Sequence, residues 1–344
     1  MRHHALSRGL SIALAVSVLV FGAGSVVSAR TTAHPARLTN VTLQLKWLNQ
    51  AQFMGYYVAI NKGFYAQQGL HVTLRQGGPT IAPEQVVASG GADFGVDWLS
   101  ALIKSREQGL PLQNIAQIYQ ASGMRLITFK STGITSISQF KGHKVGVWFF
   151  GNEYQFFALM AKYHMSPPAN YMSVVSQPFT MDLFLNHTLD VAHAMTYNEL
   201  GIVLDRVPKS SLRIFDYNKL GVSILEDGLF AKPSWLKSHA AIAAKFLKAS
   251  IEGWQWAVKN PDQAGRISFT YAGANAPGGL HHQIYMAREV AKLINYGAGL
   301  KHTIGYMDPA SYHRTWSTLL REKVINHPPV DAYTQKYWQM AGGH

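Results

Sequence analysis

The sequence contains no cysteine among its 344 residues. This absence excludes a disulfide framework, a thiolate metal site, a cysteine nucleophile and a lipid-bearing N-terminal cysteine. Charged residues are also scarce, at 14%, although the formal net charge is +13. Such a charge would permit binding to nucleic acid or to an anionic membrane. Because no block of lysine and arginine occurs, we interpret the excess as a general surface property and expect no nucleic-acid partner.

Familiar catalytic patterns are missing as well. The chain has no G-x-S-x-G, H-E-x-x-H or P-loop sequence, which removes the most recognisable hydrolase and nucleotide-binding classes. His281, His282 and His302 could ligate a metal, but adjacent histidines face different ways on a helix or strand. We therefore expect no catalytic residue, no metal and no cofactor.

The first thirty residues have the composition of an export signal. Arg2 and Arg8 precede an apolar stretch over residues 10–21, and Val27-Ser28-Ala29 resembles a cleavage site. We predict a cleaved signal peptide over residues 1–29 and a periplasmic or other extracytoplasmic location. Its removal takes away two arginines, which lowers the net charge from +13 to +11. The alternative is an uncleaved anchor, for which the stretch is short against a span of about 20 residues.

The full sequence is 47% hydrophobic, enough for a large core in two lobes. Strand and helix patterns alternate, which predicts an α/β fold with mostly parallel sheets. The predicted strands are 41–46, 71–75, 92–96, 144–148, 172–176 and 191–195. The predicted helices are 56–68, 83–89, 100–108, 154–163 and 181–185. Helical stretches beyond about Leu225 should pack on the first unit, and residues 272–279 should form a loop.

Residues that follow the predicted strands are candidate ligand contacts, because ligands of open α/β sheets lie outside the carboxyl ends of the strands. These positions are rich in aromatic, amide and carboxylate side chains: Trp47 to Phe53, Gly77 to Pro79, Asp97-Trp98, Trp148 to Tyr154, and Tyr197-Asn198-Glu199. Each alone has a structural explanation as a half-buried aromatic, a turn or a helix cap. Asn152 with Gln155, for example, fits a capping box, and Glu153 suits a helix N-terminus. Their convergence favours a binding site.

Many short motifs in colinear order carry a family resemblance over residues 41–265. They are LKWLNQAQFMGYYVAINKGFYAQQGL (45–70), ASGGADFGV (88–96), the stretch 140–148, GNE (151–153), MTYNEL (195–200), EDGLFAKPSWL (226–236) and GWQWAVKNP (253–261). Together they resemble the periplasmic binding proteins for thiamine pyrimidine precursors, such as formylaminopyrimidine.

The resemblance implies a bilobal type II periplasmic-binding-protein fold. Two α/β lobes joined by a two-strand hinge would close on an aminopyrimidine and deliver it to the permease of an ABC transporter, which works with an ATPase subunit. Lobe 1 would comprise residues 38–128 plus 224–344, and lobe 2 residues 129–223, with crossings near Phe129 and Ile224. We expect the protein to act as a monomer.

The resemblance also implies a set of ligand-binding residues. The matching segments carry over Gly151, Asn152, Glu153, Tyr197, Asn198 and Glu199. Trp47, Gln52, Phe53, Asp97, Trp98 and Tyr154 complete the predicted set. An aminopyrimidine would stack on Trp47 or Trp98 and donate hydrogen bonds to Glu153, Glu199 or Asp97. An anion would instead require arginine, lysine or free helix amides, and Glu153 would repel it.

Other functions remain open at this point. Binders of riboflavin, alkanesulfonate and nitrate share the fold, and so does a pyrimidine synthase that consumes pyridoxal phosphate and its own histidine. Such an enzyme needs a lysine and a histidine in the pocket, yet Gln52 and Phe53 stand where the histidine is wanted, and its cysteine-rich segment is absent. Lys46 is available, but strand parity allows it to face solvent.

Overall fold

The computed structural model describes residues 37–149, 151–274 and 276–344. The predicted signal peptide, residues 1–29, lies outside this part of the chain. Across the described residues, no helix combines the length and apolarity that a membrane crossing requires.

Within the described residues, ten strands lie in two sheets of five. In chain order the strands are β1 (Thr39–Gln44), β2 (Leu70–Arg75), β3 (Phe94–Asp97), β4 (Gln113–Gln117), β5 (Met124–Phe129), β6 (Lys144–Val147), β7 (Ser173–Ser176), β8 (Val191–Met195), β9 (Leu212–Asp216) and β10 (Gly228–Ala231). The helices between and after them are α1 (Met54–Asn61), α2 (Phe64–Gln67), α3 (Pro83–Ala88), α4 (Leu99–Glu107), α5 (Tyr154–Lys162), α6 (Asp182–Leu185), α7 (Glu199–Leu204), α8 (Pro233–Ser238), α9 (Ala240–Lys259), α10 (Pro261–Ala272), α11 (Gly279–Ile294), α12 (Pro309–Arg321) and α13 (Lys336–Met340).

The two sheets share one plan. The first has the order β2-β1-β3-β10-β4 and the second the order β7-β6-β8-β5-β9. In the first sheet β1 runs parallel to β2 and β3, while β10 is antiparallel to β3 and β4. In the second, β6 runs parallel to β7 and β8, while β5 is antiparallel to β8 and β9. The sheets are therefore mixed, because the strand that arrives from the other sheet enters in the opposite direction. This is the predicted α/β fold with two lobes.

In the part of the chain that the structure describes, the backbone passes between the sheets twice, over residues 118–123 and 217–227. The second crossing includes the predicted Ile224. The first differs from the predicted crossing near Phe129, and with it the lobe boundary after residue 128, because all of β5 pairs with β8 and β9 in the second sheet. The other lobe boundaries stay predictions.

A buried carboxyl group ties the two crossings together. Glu226, in the second crossing, accepts hydrogen bonds from the Ser122 hydroxyl and from the Gly123 backbone N–H at 2.8 Å, both in the first crossing. Burial raises the pKa of Glu226 to about 7.

Close helix packing positions the loop that follows β1. Helix α1 packs on α9, and a Cβ on Gly55 would lie only 2.0 Å from the Trp254 ring. Only glycine permits this approach. The predicted helix over 56–68 is interrupted at Gly63, whose φ of +73° begins α2 as a separate turn.

Candidate functional site

The loops at the carboxyl ends of the strands meet in the cleft between the two sheets. They surround a central cavity of about 80 Å³. Its walls are Lys46, Trp47, Gln50, Gln52, Trp98, Trp148, Asn152, Phe179, Met195, Tyr197, Asn198 and Glu199. The central cavity continues into two wider spaces, here named the Glu153 opening and the His282 opening after one residue that lines each. Trp47 and Phe179 line all three.

Aromatic rings from both sheets meet across this cleft. Trp47, after β1, contacts Phe179, after β7, edge to face with ring centres 4.7 Å apart. Trp148, after β6, stacks on the same phenylalanine at 6.3 Å. Such rings offer flat apolar surfaces on which a planar ligand can stack.

Lys46 and Asp97 form an ion pair in the wall. The Lys46 ammonium binds the Asp97 carboxylate and lies 5.2 Å from the centre of the Trp98 ring. Asp97 also accepts a hydrogen bond of 2.6 Å from the Trp98 backbone N–H. Burial alone would lower the pKa of Lys46, but the charges of Asp97, Glu84 and Asp227 together outweigh burial and the pKa is raised. Lys46 therefore faces the cleft as a paired cation and does not point to solvent, the orientation that strand parity also allowed.

Glu199 is the carboxylate of the central cavity. It is buried, and its Oε1 and Oε2 accept hydrogen bonds from Asn198 Nδ2 at 2.8 Å and from the Met195 N–H at 3.1 Å. Burial raises its pKa to about 7. Because each carboxylate oxygen can accept more than one hydrogen bond, Glu199 can accept another from a ligand.

A second buried acid orients two amides of the wall. Gln52 donates from Nε2 to Asp227 Oδ2 at 2.7 Å, and Gln50 donates from Nε2 to Gln52 Oε1 at 2.7 Å. Because the Gln52 NH₂ group donates to Asp227, its oxygen is left to accept from Gln50, so Asp227 fixes the direction of both amides. Burial raises the pKa of Asp227 to about 7.

The segment GNE (151–153) before helix α5 differs from its predicted geometry. Helix α5 begins at Tyr154, and Asn152 donates to the Phe149 carbonyl instead of capping the helix. Gln155 is buried and accepts from the Ile224 N–H at 3.2 Å, so the capping-box interpretation is wrong. Glu153 accepts from the Gly151 N–H at 2.8 Å, and burial raises its pKa.

A family model described as NMT1/THI5 like matches residues 50–264, well over half of the chain. The chain belongs to the NMT1/THI5-like family. Riboflavin-binding protein RibY of Chloroflexus aurantiacus is 23% identical over 98% of both chains. A 4-amino-5-hydroxymethyl-2-methylpyrimidine phosphate synthase of Uromyces fabae is 24% identical over 62% of this chain and 65% of its own. The formylaminopyrimidine-binding protein of Halalkalibacterium halodurans is 23% identical over 70% and 73%.

Solved structures place this NMT1/THI5-like chain in the fold of the periplasmic binding proteins. A putative periplasmic sulfonate-binding protein, SsuA, of Methylobacillus flagellatus has a TM-score of 0.66 at 14% identity, covering 89% of this chain and 94% of its own. The periplasmic nitrate-binding protein NrtA of Synechocystis PCC 6803 has a TM-score of 0.63 at 14% identity, covering 90% and 89%. At such identities the likeness establishes the fold alone.

The site residues predicted for this chain fall into three groups. Those that line the central cavity are Trp47, Gln52, Trp98, Asn152, Tyr197, Asn198 and Glu199. Those that line the Glu153 opening beside it are Asp97, Gly151, Glu153 and Tyr154. The prediction for Phe53 is wrong, because this residue is completely buried in the hydrophobic core behind the loop. It lines neither the central cavity nor the Glu153 opening.

Several wall residues of this NMT1/THI5-like site escaped the sequence argument. Phe179 follows β7, so its position after a strand is the signal that could identify it. Gln50 lies in the predicted segment Trp47 to Phe53, and Met195 lies in the motif MTYNEL, but neither was singled out as a ligand contact. Asp227, which lies behind Gln52, belongs to the motif EDGLFAKPSWL and was not singled out either. The three histidines do not come together: His302 stacks on Tyr306 and His282 bonds Asn198. In the described part of the chain no group of three or more metal-ligating side chains forms.

Proposed function

We propose that this protein is the extracytoplasmic solute-binding component of an ABC importer, and that its ligand is a flat heteroaromatic ring bearing amino groups. Formylaminopyrimidine is the best candidate. The observation that carries the proposal is a buried carboxylate, Glu199, in a wall of tryptophans. The ring would stack on Trp47 or Trp98, and an exocyclic amine would donate to Glu199.

The charges of the cleft argue against an anionic ligand. Glu199 in the central cavity and Glu153 beside it would both repel a sulfonate or a nitrate. Lys46, the cation among the residues that line the central cavity, is already bound to Asp97. An alkanesulfonate or nitrate would therefore meet net negative charge.

The state of Lys46 also favours binding over catalysis. Relatives that are named synthases leave an enzyme as a candidate for any member of the family. A lysine that forms a covalent bond with an aldehyde must present a neutral amine. Lys46 is instead paired with Asp97 and its pKa is raised, so we propose a binding protein and not an enzyme.

Riboflavin is the second candidate, on one specific observation. RibY matches this chain over 98% of both lengths, including the region beyond Ala272. The central cavity opens on two sides, so a ring larger than a pyrimidine with a polar tail could extend into the Glu153 or His282 opening. The same aromatic wall would serve an isoalloxazine ring.

Delivery to a membrane partner completes the proposal. The predicted signal peptide would export the protein, and closure of the lobes on the ligand would present it to the permease. A pyrimidine ligand would place this transport in thiamine biosynthesis.

A thermal-shift panel tests the proposal. The purified protein is heated with formylaminopyrimidine, hydroxymethylpyrimidine, thiamine, riboflavin or taurine, because a ligand that binds only the folded state raises Tm. We expect formylaminopyrimidine to give the largest rise. If riboflavin alone stabilises the protein, the second candidate replaces the first; if taurine alone does, the argument from the carboxylates is wrong.

A further inference from the structure

A chain of hydrogen bonds crosses the cleft beside the central cavity. His282 Nε2 lies 2.8 Å from Asn198 Oδ1, and Asn198 Nδ2 lies 2.8 Å from Glu199 Oε1. His282 and Asn198 are both wall residues of the His282 opening, and Glu199 belongs to this opening and to the central cavity. His282 is thus connected to the proposed amine acceptor through one residue.

The direction of this chain follows from the carboxylate. An ionised carboxylate accepts hydrogen bonds and donates none, so Asn198 must turn its NH₂ group to Glu199 and its oxygen to His282. His282 must then carry a hydrogen on Nε2. Burial lowers the pKa of His282, which keeps the ring neutral in this tautomer. The other titratable groups near His282 are Asp205, His281 and Tyr285.

This chain of hydrogen bonds joins the two lobes. Helix α11, which carries His282, packs on α10 and α9 beside the first sheet. The next residue, Gln283, accepts a hydrogen bond of 2.7 Å from the Ala51 N–H in the loop after β1. Asn198 and Glu199 instead follow β8 of the second sheet and begin α7. The chain of hydrogen bonds is therefore complete only when helices α11 and α7 are in contact.

Two further contacts show how closely these elements meet. A Cβ on Gly201 of α7 would lie 2.4 Å from the Tyr285 ring of α11. The Tyr285 hydroxyl donates to the Thr196 carbonyl, just after β8, at 2.7 Å. The approach of α7 to α11 is thus fixed by a glycine on one side and a tyrosine on the other.

We propose that His282 is a positioning residue for the ligand site: acting through Asn198, it holds the Glu199 carboxylate toward the ligand only when the cleft is closed. This inference rests on the proposed function and adds how the ligand is retained. A group that acts in the closed state alone affects escape of the ligand and leaves its entry unchanged.

Stopped-flow binding of formylaminopyrimidine tests this inference. In His282→Ala we expect the dissociation rate to rise about tenfold with the association rate within about twofold of wild type, as for loss of one hydrogen bond to a charged network. His282→Gln should restore most of the retention, because its Nε2–H can donate to Asn198. His281→Ala is the matched control: the neighbouring histidine has a side chain that is 82% exposed, and its loss should leave both rates unchanged.

A double mutant separates a positioning role of His282 from an effect on stability. In Glu199→Gln the further change His282→Ala should raise the dissociation rate by less than about twofold, because both act on one contact. The inference is overturned if His282→Ala leaves dissociation unchanged, if His282→Gln is as fast as His282→Ala, or if the two mutations multiply. Failure of wild type to bind any amine-bearing ring would instead reject the proposed function, before a variant is made.

Discussion

At the scale of single residues, the acids of the cleft differ in the partners that each carboxyl group already binds. Asp97 is neutralised by Lys46, and Asp227 holds Gln52. Glu199 receives two hydrogen bonds from neutral donors. Burial without a cation raises the pKa of Glu199 to about 7, so its charge changes in the neutral range. The acid that we assign to the ligand should therefore make binding depend on pH.

The first prediction concerns this pH dependence. A ligand amine is accepted by the ionised form of Glu199, so affinity for formylaminopyrimidine should rise as pH increases from 6 to 8 and weaken below the pKa. Calorimetric titrations over this range measure the slope. Glu199→Gln should reduce the affinity at pH 8 by about 1–3 kcal/mol. The variant should also lose the slope that wild type shows; an equal slope in both proteins would assign the titration to another group.

The second prediction concerns Phe179, which contacts Trp47 across the cleft. Phe179→Ala should weaken binding of an aromatic ligand by about 1–2 kcal/mol, since the pocket loses one stacking surface. Its side chain is 47% exposed, so Tm of the free protein should stay the same. Tyr296→Ala is the control, because Tyr296 is equally exposed and does not line the central cavity. An equal loss in both variants would contradict a specific role for Phe179.

At the scale of elements, what the sequence predicts depends on local pattern. Hydrophobic runs in the sequence predict six strands within a few residues: β1, β2, β3, β6, β7 and β8. Strands β4, β5, β9 and β10 were not predicted. The sequence of β4, QNIAQ, is polar although the strand is largely buried, because its amides are satisfied by distant groups such as the Glu226 carbonyl, which accepts from Gln117. No local pattern reveals such a partner.

The same limit applies to the site. Trp47, Trp98 and the segment Tyr197 to Glu199 could be found because they follow strands directly. Phe53 lies in the same loop, but the short helical turn at Ala51–Phe53 directs it into the core. His282 is far along the chain in α11, and only the tertiary fold brings it to Asn198.

The third prediction tests the contact between α7 and α11. Gly201→Ala places a methyl group where the Tyr285 ring lies, so the helices must separate and closure should become less favourable. We expect affinity for the ligand to fall by about 1–3 kcal/mol, the usual cost of overpacking, mainly through faster dissociation. Gly201→Ala combined with Tyr285→Ala should regain part of the loss in stopped-flow measurements. No change in dissociation for Gly201→Ala would show that the helices need not meet for binding.

At the scale of the whole molecule, the two sheets are joined by crossings that share the buried Glu226. Its carboxyl group binds Ser122 and Gly123 of one crossing from its place in the other. Its pKa is raised from 4.5 to about 7 by burial, and those of Glu199 and Asp227 move in the same direction. The folded protein therefore retains protons that the unfolded chain loses.

The fourth prediction follows from this linkage. A raised folded pKa contributes stability that is fully present below the unfolded value of 4.5 and is lost as pH rises through about 7. The free energy of unfolding should thus decrease between pH 5 and 8, by on the order of 1–3 kcal/mol for each of the three acids. Urea unfolding at several pH values measures it, and Glu226→Gln should flatten the curve. Stability that rises over this range would contradict buried neutral carboxyl groups at the crossings.

The most direct measurement is a calorimetric titration of the purified protein with formylaminopyrimidine at pH 8, beside the same titration of Glu199→Gln. We predict one site per protein and a weaker affinity in the variant by about 1–3 kcal/mol, the cost of one hydrogen bond to a charged group. Wild type that binds no aminopyrimidine, or a variant that binds it equally well, would contradict the claim that a buried carboxylate in an aromatic cleft selects this ligand.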